Sequence, residues 1–352
     1  VCDWFFPAAT ARGYELSVIH EAWEVLRAFA SFGFCKAHAA AFALPTYQSA
    51  WLKTHYPAHF LAGVLTHDPG MYPKRLMLDE ARQMGIALAP IDINYSMGVY
   101  AVEKREEGYA IRIALSAVAG ISEREITSII AARPYVDLGD FYKRSGASTP
   151  VVEALIMTGA LDEIYQEQKI NRRDLLLHFH DLLQSPQKPI SGAQMALTFP
   201  APDLAPSGLP DLKEEERLAH EIEHLGMDIS EHALSGYSSF LNAIGAVRSS
   251  DLLKQRSGSS VLVAGIRVAL QTPPMRSGKR VIFLTLDDGY GCSDSTFFTD
   301  VQGDYAGVLY SARILLVRGV IRRTGERGVS LRATGAWDLR QAYEQWRAKA
   351  AI

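Results

Sequence analysis

The sequence is poor in cysteine and has no excess of charge of either sign. Three cysteines, Cys2, Cys35 and Cys292, occur among 352 residues, and no two form a CxxC pair, which excludes a disulfide framework and a cysteine-based zinc knuckle. The 36 basic and 39 acidic residues leave a formal charge of −3, so the chain has no global basic surface. No apolar run reaches the roughly 18 residues of a membrane helix. We therefore expect a cytoplasmic protein without a membrane partner.

Motifs that would complete a catalytic centre are also missing. The sequence contains no P-loop, no GxGxxG opening a helix and no GxSxG elbow. Asp287 and Asp288 precede a glycine and resemble metal ligands, but neighbours on a strand point to opposite faces and Asp-Gly favours a hairpin turn. His178 and His180 lie two residues apart, so we interpret them as a solvated helix edge. We predict no catalytic residue, metal or cofactor in this chain.

The length and composition of the chain predict several globular domains. Hydrophobic residues make up 48% and charged residues 21% of the sequence, which is typical of well-buried globular proteins. The chain opens on Val1 without a methionine, and we expect it to be a piece of a longer protein. The patterns predict a multidomain α+β fold with a mainly helical unit at 1–95, tandem helix-hairpin-helix units at 96–183, a Pro-rich linker with an acidic helix at 184–258, a barrel at 259–338 and a helix at 339–352.

Two glycine turns within the second region indicate a surface for phosphate. Gly120, Ile121 and Ser122 stand between apolar helical pieces, with Ser122 placed to cap the second piece and Glu125 at its third position. Thr158 and Gly159 form a similar corner. A glycine turn that feeds a helix start exposes backbone amides to a DNA phosphate. The alternative is a plain corner held by apolar packing.

The barrel region carries a local positive charge. Five predicted strands, with a helix at 300–310 between the third and fourth, follow the order of an OB-fold. Residues 259–338 hold ten basic and seven acidic side chains, a balance of +3. One of Phe297 and Phe298 must face the core, because strand neighbours alternate. The pattern favours single-stranded DNA binding, without requiring it, by Arg267, Arg280, Phe283, Phe298 and Arg322.

A short peptide in the Pro-rich linker is suited to a partner's cleft. Gln194, Leu197 and Phe199 offer one polar and two apolar anchors within a flexible tract. The alternative is a chance match, because three specified positions recur easily in a long chain.

The residues in this order resemble the bacterial C-family DNA polymerases, the family of the DNA polymerase III α subunit. The resemblance is most specific at residues 32–43, which read FGFCKAHAAAFA and are similar to the family's fingers signature. It continues through residues 51–60 and 90–94. The hairpins at 118–133 and 155–162, and the barrel at 261–339, follow in the family's order.

The resemblance implies the C-terminal, DNA-binding and clamp-binding portion of a DNA-directed DNA polymerase. The complete enzyme would transfer nucleotides with Mg²⁺, using palm aspartates upstream of residue 1. Lys36 and His38 would lie near the nucleotide or template, or else serve fingers packing with His38 as a core histidine. The peptide of Gln194, Leu197 and Phe199 would bind the sliding clamp. The expected partners are duplex product, single-stranded template, the clamp and the upstream palm and thumb.

Two questions stay open at the level of sequence. Only 14 residues follow the barrel, which favours the error-prone branch that acts in DNA damage and repair; a truncated replicative copy is the alternative. The piece could also act without catalysis, as a module that tethers DNA to the sliding clamp.

Overall fold

A computed structural model describes residues 2–30, 36–68, 70, 72–184, 204–273, 280–326 and 328–350. The chain divides into two compact units, at 1–60 and 61–352, and each is described by itself. Within the described ranges, none of the helices combines the length and hydropathy that crossing a membrane requires.

The first unit is helical, as predicted. It consists of α1 (Cys2–Thr10), α2 (Leu16–Ala30), α3 (Lys36–His55) and the start of α4 (Pro57–His67). The rings of Phe5 and Phe6 lie 5.5 and 5.8 Å from that of Trp23 and hold α1 against α2. Helix α3 continues through Pro45 and has no buried residue.

The second unit begins with α5 (Lys74–Gln83) and a small sheet. Its strands are β1 (Ala87–Ala89), β2 (Ala101–Arg105) and β3 (Gly108–Arg112), with β3 in the centre, parallel to β1 and antiparallel to β2. The sequence predicts an extended segment near β1 and a strand near β3. It does not predict β2, because the mixed residues of Ala101–Arg105 show no apolar alternation.

A helical domain follows, formed by α6 (Glu123–Ala131), α7 (Leu138–Ser145), α8 (Thr149–Met157), α9 (Asp162–Tyr165) and α10 (Arg172–Gln184). Phe141, Leu155 and Phe179 are fully buried in its interior. The expectation of a helix before Gly120 is wrong: Leu115–Ala117 makes only a 3-10 turn. The backbone is extended on both sides of this turn, at Ala114 and Val118, which leaves no room for a longer helix.

The barrel is closed and has the predicted five strands. Before it lie α11 (Glu214–Leu225) and α12 (Ser238–Ala243). Its elements are β4 (Ser260–Gln271), β5 (Ile282–Asp287), β6 (Cys292–Phe297), α13 (Thr299–Ser311), β7 (Ile314–Thr324) and β8 (Gly328–Asp338), in the strand order β4-β5-β6-β8-β7. Phe297, Leu315 and Val317 are fully buried in its core. The final helix, α14 (Leu339–Ala350), begins at the predicted residue and lies within the predicted range of 339–352.

Strand β6 closes the barrel against β8 through a short parallel seam. Only two register pairs, Ser295 with Leu331 and Thr296 with Arg332, join these strands. The antiparallel pair of β7 and β8 has ten register pairs and one irregularity after Arg318. The seam is therefore the least extensive strand pairing in the barrel.

A buried polar cluster joins α5 to the barrel. Arg75 Nη2 donates to Asp287 Oδ2 at 2.7 Å, and His232 Nε2 lies 3.3 Å from the same oxygen. Arg82 pairs with Asp79 and donates to the carbonyls of residues 228 and 229. Burial, together with the nearby Asp287 carboxylate, raises the pKa of Asp79 to about 6.

Candidate nucleic-acid interface

The first hairpin presents unpaired amides at the start of α6. Gly120 adopts φ +80°, a conformation that suits glycine, and Ser122 caps the helix with its hydroxyl. The amides of Gly120, Glu123 and Arg124 have no hydrogen-bond partner among the described residues. The Arg124 side chain is exposed beside them. This turn therefore has the donors that a phosphate needs.

Glu125 occupies part of the same hairpin. Its Oε2 accepts from the Ser122 amide at 2.8 Å and hydroxyl at 2.7 Å, and its Oε1 accepts from the Ser148 amide at 2.9 Å and hydroxyl at 2.8 Å. These bonds, the Ser122 hydroxyl first among them, lower the pKa of the Glu125 carboxyl to about 2. The capping box predicted from Ser122 and Glu125 is confirmed. The Ser122 amide is thus already engaged, and the amides of Gly120, Glu123 and Arg124 are the ones open to a phosphate.

The second glycine corner is closed. The amides of Gly159 and Ala160 donate to the carbonyls of Ile156 and Leu155, in the pattern of a Schellman motif, and Gly159 has φ +85°. The Thr158 side chain is buried and its hydroxyl donates to Ala154. A Cβ added at Gly159 would meet Arg172 and Asp162, which are paired across the turn. The DNA contact of Thr158 and Gly159 stays a prediction, and their amides are engaged within the domain.

A row of side chains crosses the outside of the barrel. The register places Phe283 opposite Thr296, Thr296 opposite Arg332, and Arg332 opposite Val320, so the row runs from β5 to β7. Phe283 is 40% exposed, as a base-stacking ring requires. Of the neighbours Phe297 and Phe298, Phe297 faces the core, as the alternation requires, and Phe298 lies partly exposed outside it. The Arg332 guanidinium lies 5.5 Å from the Phe298 ring.

A second aromatic and basic pair lies further along β8. Arg318 is exposed and its guanidinium lies 5.4 Å from the ring of Trp337, which is 37% exposed. Neither residue is among the DNA-binding residues predicted from the sequence, and Arg332 is not among them either. Strict alternation from Arg332 would turn Trp337 inward. The irregularity between β7 and β8 shifts the register by one residue and brings Trp337 to the outer surface.

The three predicted arginines of the barrel have different surroundings. Arg267 is half-buried and donates to the carbonyls of Leu309 and Tyr310 at the end of α13, so it serves the helix terminus. Arg280 and Arg322 are exposed. Only Arg280 and Arg322 of the three thus have guanidinium groups in position to meet a phosphate.

The remaining predicted residues lie elsewhere. Lys36 and His38 are exposed on the first turn of α3, where the ring of His38 lies 4.6 Å from that of Phe42, so His38 is not a core histidine in this unit. Gln194, Leu197 and Phe199 lie outside the described residues. The hairpin turn expected at Asp287, Asp288 and Gly289 is present, with Gly289 at φ +82°.

Known proteins match both a part of this chain and most of its length. A family model described as a helix-hairpin-helix motif matches residues 85–175. The error-prone DNA polymerase of Symbiobacterium thermophilum is 33% identical over 351 residues, which cover 87% of this chain and 32% of that protein. DNA polymerase III subunit alpha of Vibrio cholerae is 30% identical over 364 residues, covering 97% of this chain and 30% of that protein.

Solved structures match smaller parts of the chain. The single-stranded DNA-binding protein Rim1 of Saccharomyces cerevisiae mitochondria is 13% identical, with a TM-score of 0.20, over 24% of this chain and 97% of that one. A match at this TM-score has no bearing on function.

Glycine hairpins followed by a closed five-stranded barrel define a multidomain protein of helix-hairpin-helix and OB type. Over most of its length, the chain is homologous to part of the bacterial DNA polymerase III α subunits and error-prone DNA polymerases, the family that residues 32–43 indicate. The chain spans about 30% of the length of these curated relatives.

Proposed function

We propose that this chain is the DNA-gripping portion of a bacterial DNA polymerase that carries out template-directed nucleotidyl transfer as a complete enzyme. The barrel's outer row of Phe283, Thr296 and Arg332 carries the proposal, because an exposed ring and an exposed arginine on the same face suit a single strand. The amides at Gly120 would hold duplex product without reading its sequence. Lys36 and His38 would face nucleotide or template.

The upstream palm and thumb are the expected partners of the first unit. Phe42, Leu44 and Trp51 on α3 are 59%, 62% and 44% exposed. A helix with several large exposed apolar side chains favours coverage by another domain. In this proposal the catalytic aspartates and Mg²⁺ belong to that upstream part. Asp79 and Asp287 do not fit Mg²⁺, because Arg75 already donates to Asp287 and a second cation there would be repelled.

Reconstitution tests the proposal. The chain alone should incorporate no nucleotide, and addition of a separately expressed upstream half should restore primer extension with Mg²⁺. DNA binding without any gain in activity would instead support the non-catalytic tether. Synthesis by the chain alone would contradict the assignment of catalysis to the upstream half.

The sliding clamp is the second proposed partner, bound through Gln194, Leu197 and Phe199. Burying a Leu and a Phe side chain is worth about 1.5–3 kcal/mol each, less the cost of ordering the linker. We therefore expect affinity of roughly micromolar from the peptide alone, and tethering by DNA would raise the effective concentration.

Calorimetry with purified clamp tests this contact. Leu197→Ala with Phe199→Ala should abolish binding and leave DNA affinity unchanged. Met195→Ala with Thr198→Ala, at unspecified positions of the same peptide, is the matched control and should bind normally. Equal binding by the wild type and both variants would contradict the clamp contact and leave residues 194–199 as a linker only.

Membership of the error-prone branch is part of the proposal. The first relative described above is an error-prone polymerase and the second a replicative subunit, at 33% and 30% identity. Primer extension by the reconstituted enzyme across an abasic template site separates the two. Bypass supports the error-prone branch, and arrest at the lesion supports the replicative one.

A further inference from the structure

Helix α11 brings three metal-ligand side chains to one face. His220, Glu223 and His224 stand at positions i, i+3 and i+4, which are neighbours on a helix surface. Their ligand atoms all lie within 4.8 Å of one another. The two imidazole rings are parallel, with an interplanar angle of 4° and centroids 5.7 Å apart. Two imidazole nitrogens and a carboxylate oxygen therefore lie close together on one turn of the helix.

His220 has a ring nitrogen without a hydrogen-bond partner among the described residues. Its Nδ1 is shielded from solvent and has no hydrogen-bond partner within the part of the chain that the structure describes. Glu223 Oε2 is 3.7 Å from this nitrogen, beyond hydrogen-bond length. A shielded polar atom without a partner is costly. The His220 side chain as a whole is 28% exposed, so a small ion has a route to it.

The donor set defines the class of ion. Imidazole nitrogen suits zinc, nickel and cobalt, whereas magnesium and calcium prefer oxygen ligands alone. Ligands about 2.0–2.1 Å from a tetrahedral zinc lie about 3.4 Å apart. The present spacing of 3.7 Å between His220 and Glu223 needs only a small side-chain rotation to reach this value. Three protein ligands leave the fourth position to water.

The helix that carries the three residues is acidic, while the positive charge of Arg172 also acts on His220. Helix α11 carries five glutamates and one arginine. Among the described residues, the other group that could hold a metal is Asp79, His232 and Asp287. There the Arg75 guanidinium already lies 2.7 Å from Asp287 Oδ2, so a second cation would meet a positive charge.

We propose that His220, Glu223 and His224 form a surface binding site for a divalent transition-metal ion of the zinc class. The ion fastens the last turn of α11. The carbonyl of His224 in that turn accepts the Ala119 amide at 2.7 Å, next to the Gly120 turn. Metal binding thus restricts the motion of the helical turn whose His224 carbonyl holds the first hairpin.

Titration of the EDTA-treated full chain with Zn²⁺ and Co²⁺ tests the site. We expect one equivalent of Co²⁺ to give the visible absorption of a low-coordinate nitrogen and oxygen site, and Zn²⁺ to displace it. His220→Ala with His224→Ala should weaken this binding at least 100-fold, and Glu223→Gln at least 10-fold. His178→Ala with His180→Ala is the matched control, because a spacing of two residues does not chelate, and it should bind like the wild type.

Two outcomes would overturn the site. One is absence of stoichiometric binding by the wild type. The other is equal binding by the wild type and the His220 and His224 variants, which would mean adventitious ions on other histidines. Far-UV circular dichroism checks that each variant is folded. If the double alanine variant is not, His224→Gln and Glu223→Gln, which suit a helix, decide the question by the same measurements.

Discussion

Arg75 and Asp287, 212 residues apart in sequence, form an ion pair of 2.7 Å with side chains only 6% and 1% exposed. The pair joins α5 to the end of β5, and His232 shares the same carboxylate oxygen. Burial removes both charges from water, and each charge offsets the desolvation cost of the other. Either charge alone would be buried without a partner. The cluster therefore fixes the barrel on the segment that precedes the small sheet.

Removal of one partner of this pair should be strongly destabilising. We expect Asp287→Ala to lower the free energy of unfolding by about 3–5 kcal/mol, because the Arg75 guanidinium is left buried and unpaired. Urea denaturation monitored by circular dichroism measures the change. The double variant Arg75→Met with Asp287→Leu should lose less than Asp287→Ala, and a larger loss in the double variant would contradict the account.

Stability should depend on pH through Asp79. Its pKa is raised to about 6 by burial and by Asp287, against an ordinary value of 3.8. The folded state therefore binds more protons than the unfolded state between these values, and stability falls as pH rises from about 4 to 6. His232, Asp228 and Arg82 also act on this carboxyl, and Arg75 pairs with the neighbouring Asp287.

The magnitude follows from linkage, at about 1.4 kcal/mol for each unit of pKa. Between pH 4 and 6.5, the unfolding free energy of the wild type should fall by on the order of 2–3 kcal/mol more than that of Asp79→Asn. Urea denaturation at both pH values gives the comparison, in which titrating groups that do not interact with Asp79 cancel. Parallel pH profiles of stability for the two proteins would contradict the assignment of this pH dependence to Asp79.

Glu125 should act in the opposite sense. Its pKa is lowered to about 2 from 4.5, so its contribution is fully present above about pH 4.5 and is lost as the pH falls toward 2. Glu125→Ala should cost about 1–2 kcal/mol at neutral pH, because the starts of α6 and α8 both lose a capping partner. Thermal or urea unfolding measures this cost. Glu123→Gln, an exposed change in the same helical turn, is the control and should stay within about 0.5 kcal/mol.

The barrel row predicts single-strand affinity. Phe283→Ala should weaken binding of a labelled oligothymidylate by about 1–3 kcal/mol, the value of one stacked base. Arg318→Ala with Arg332→Ala should reduce the salt slope by about 1.4, since each lost phosphate contact is worth about 0.7 on a single strand. Fluorescence anisotropy at several salt concentrations gives both quantities, and Lys104→Ala with Arg105→Ala, two exposed residues of β2, is the charge-matched control. An unchanged slope would place the strand elsewhere.

Arg280 and Arg322 have a separate expectation. Both are exposed, and their joint replacement by alanine should also reduce the salt slope while leaving base preference unchanged. A strongly sequence-specific complex would contradict contact through amides and arginines alone.

Local rules predict much of this fold. The capping box of Ser122 and Glu125 follows from a spacing of three residues, and the burial of Phe297 follows from alternation on one strand. Arg75 and Asp287 could not be paired in this way, since no local pattern links residues 212 positions apart. Trp337 was missed because a single register shift reverses its face.

The site was predicted less completely than the fold. Gly159 resembles Gly120 in sequence and in φ, yet only tertiary packing decides that Arg172 covers it. Conversely, the convergence of His220 and His224 follows from helical spacing alone. His178 and His180, at a spacing of two residues, lack this property.

The two-residue seam between β6 and β8 is the weakest strand pairing in an otherwise well-paired closed barrel. Local opening begins where the fewest hydrogen bonds must break, so the amides beside Ser295 and Thr296 should exchange with solvent sooner than those in the long β7 and β8 ladder. Thr296 and Arg332 belong both to this seam and to the outer row that ends on Phe283. A strand of DNA bound along the row would therefore bridge β6 and β8, and binding of the template would also oppose opening of the barrel.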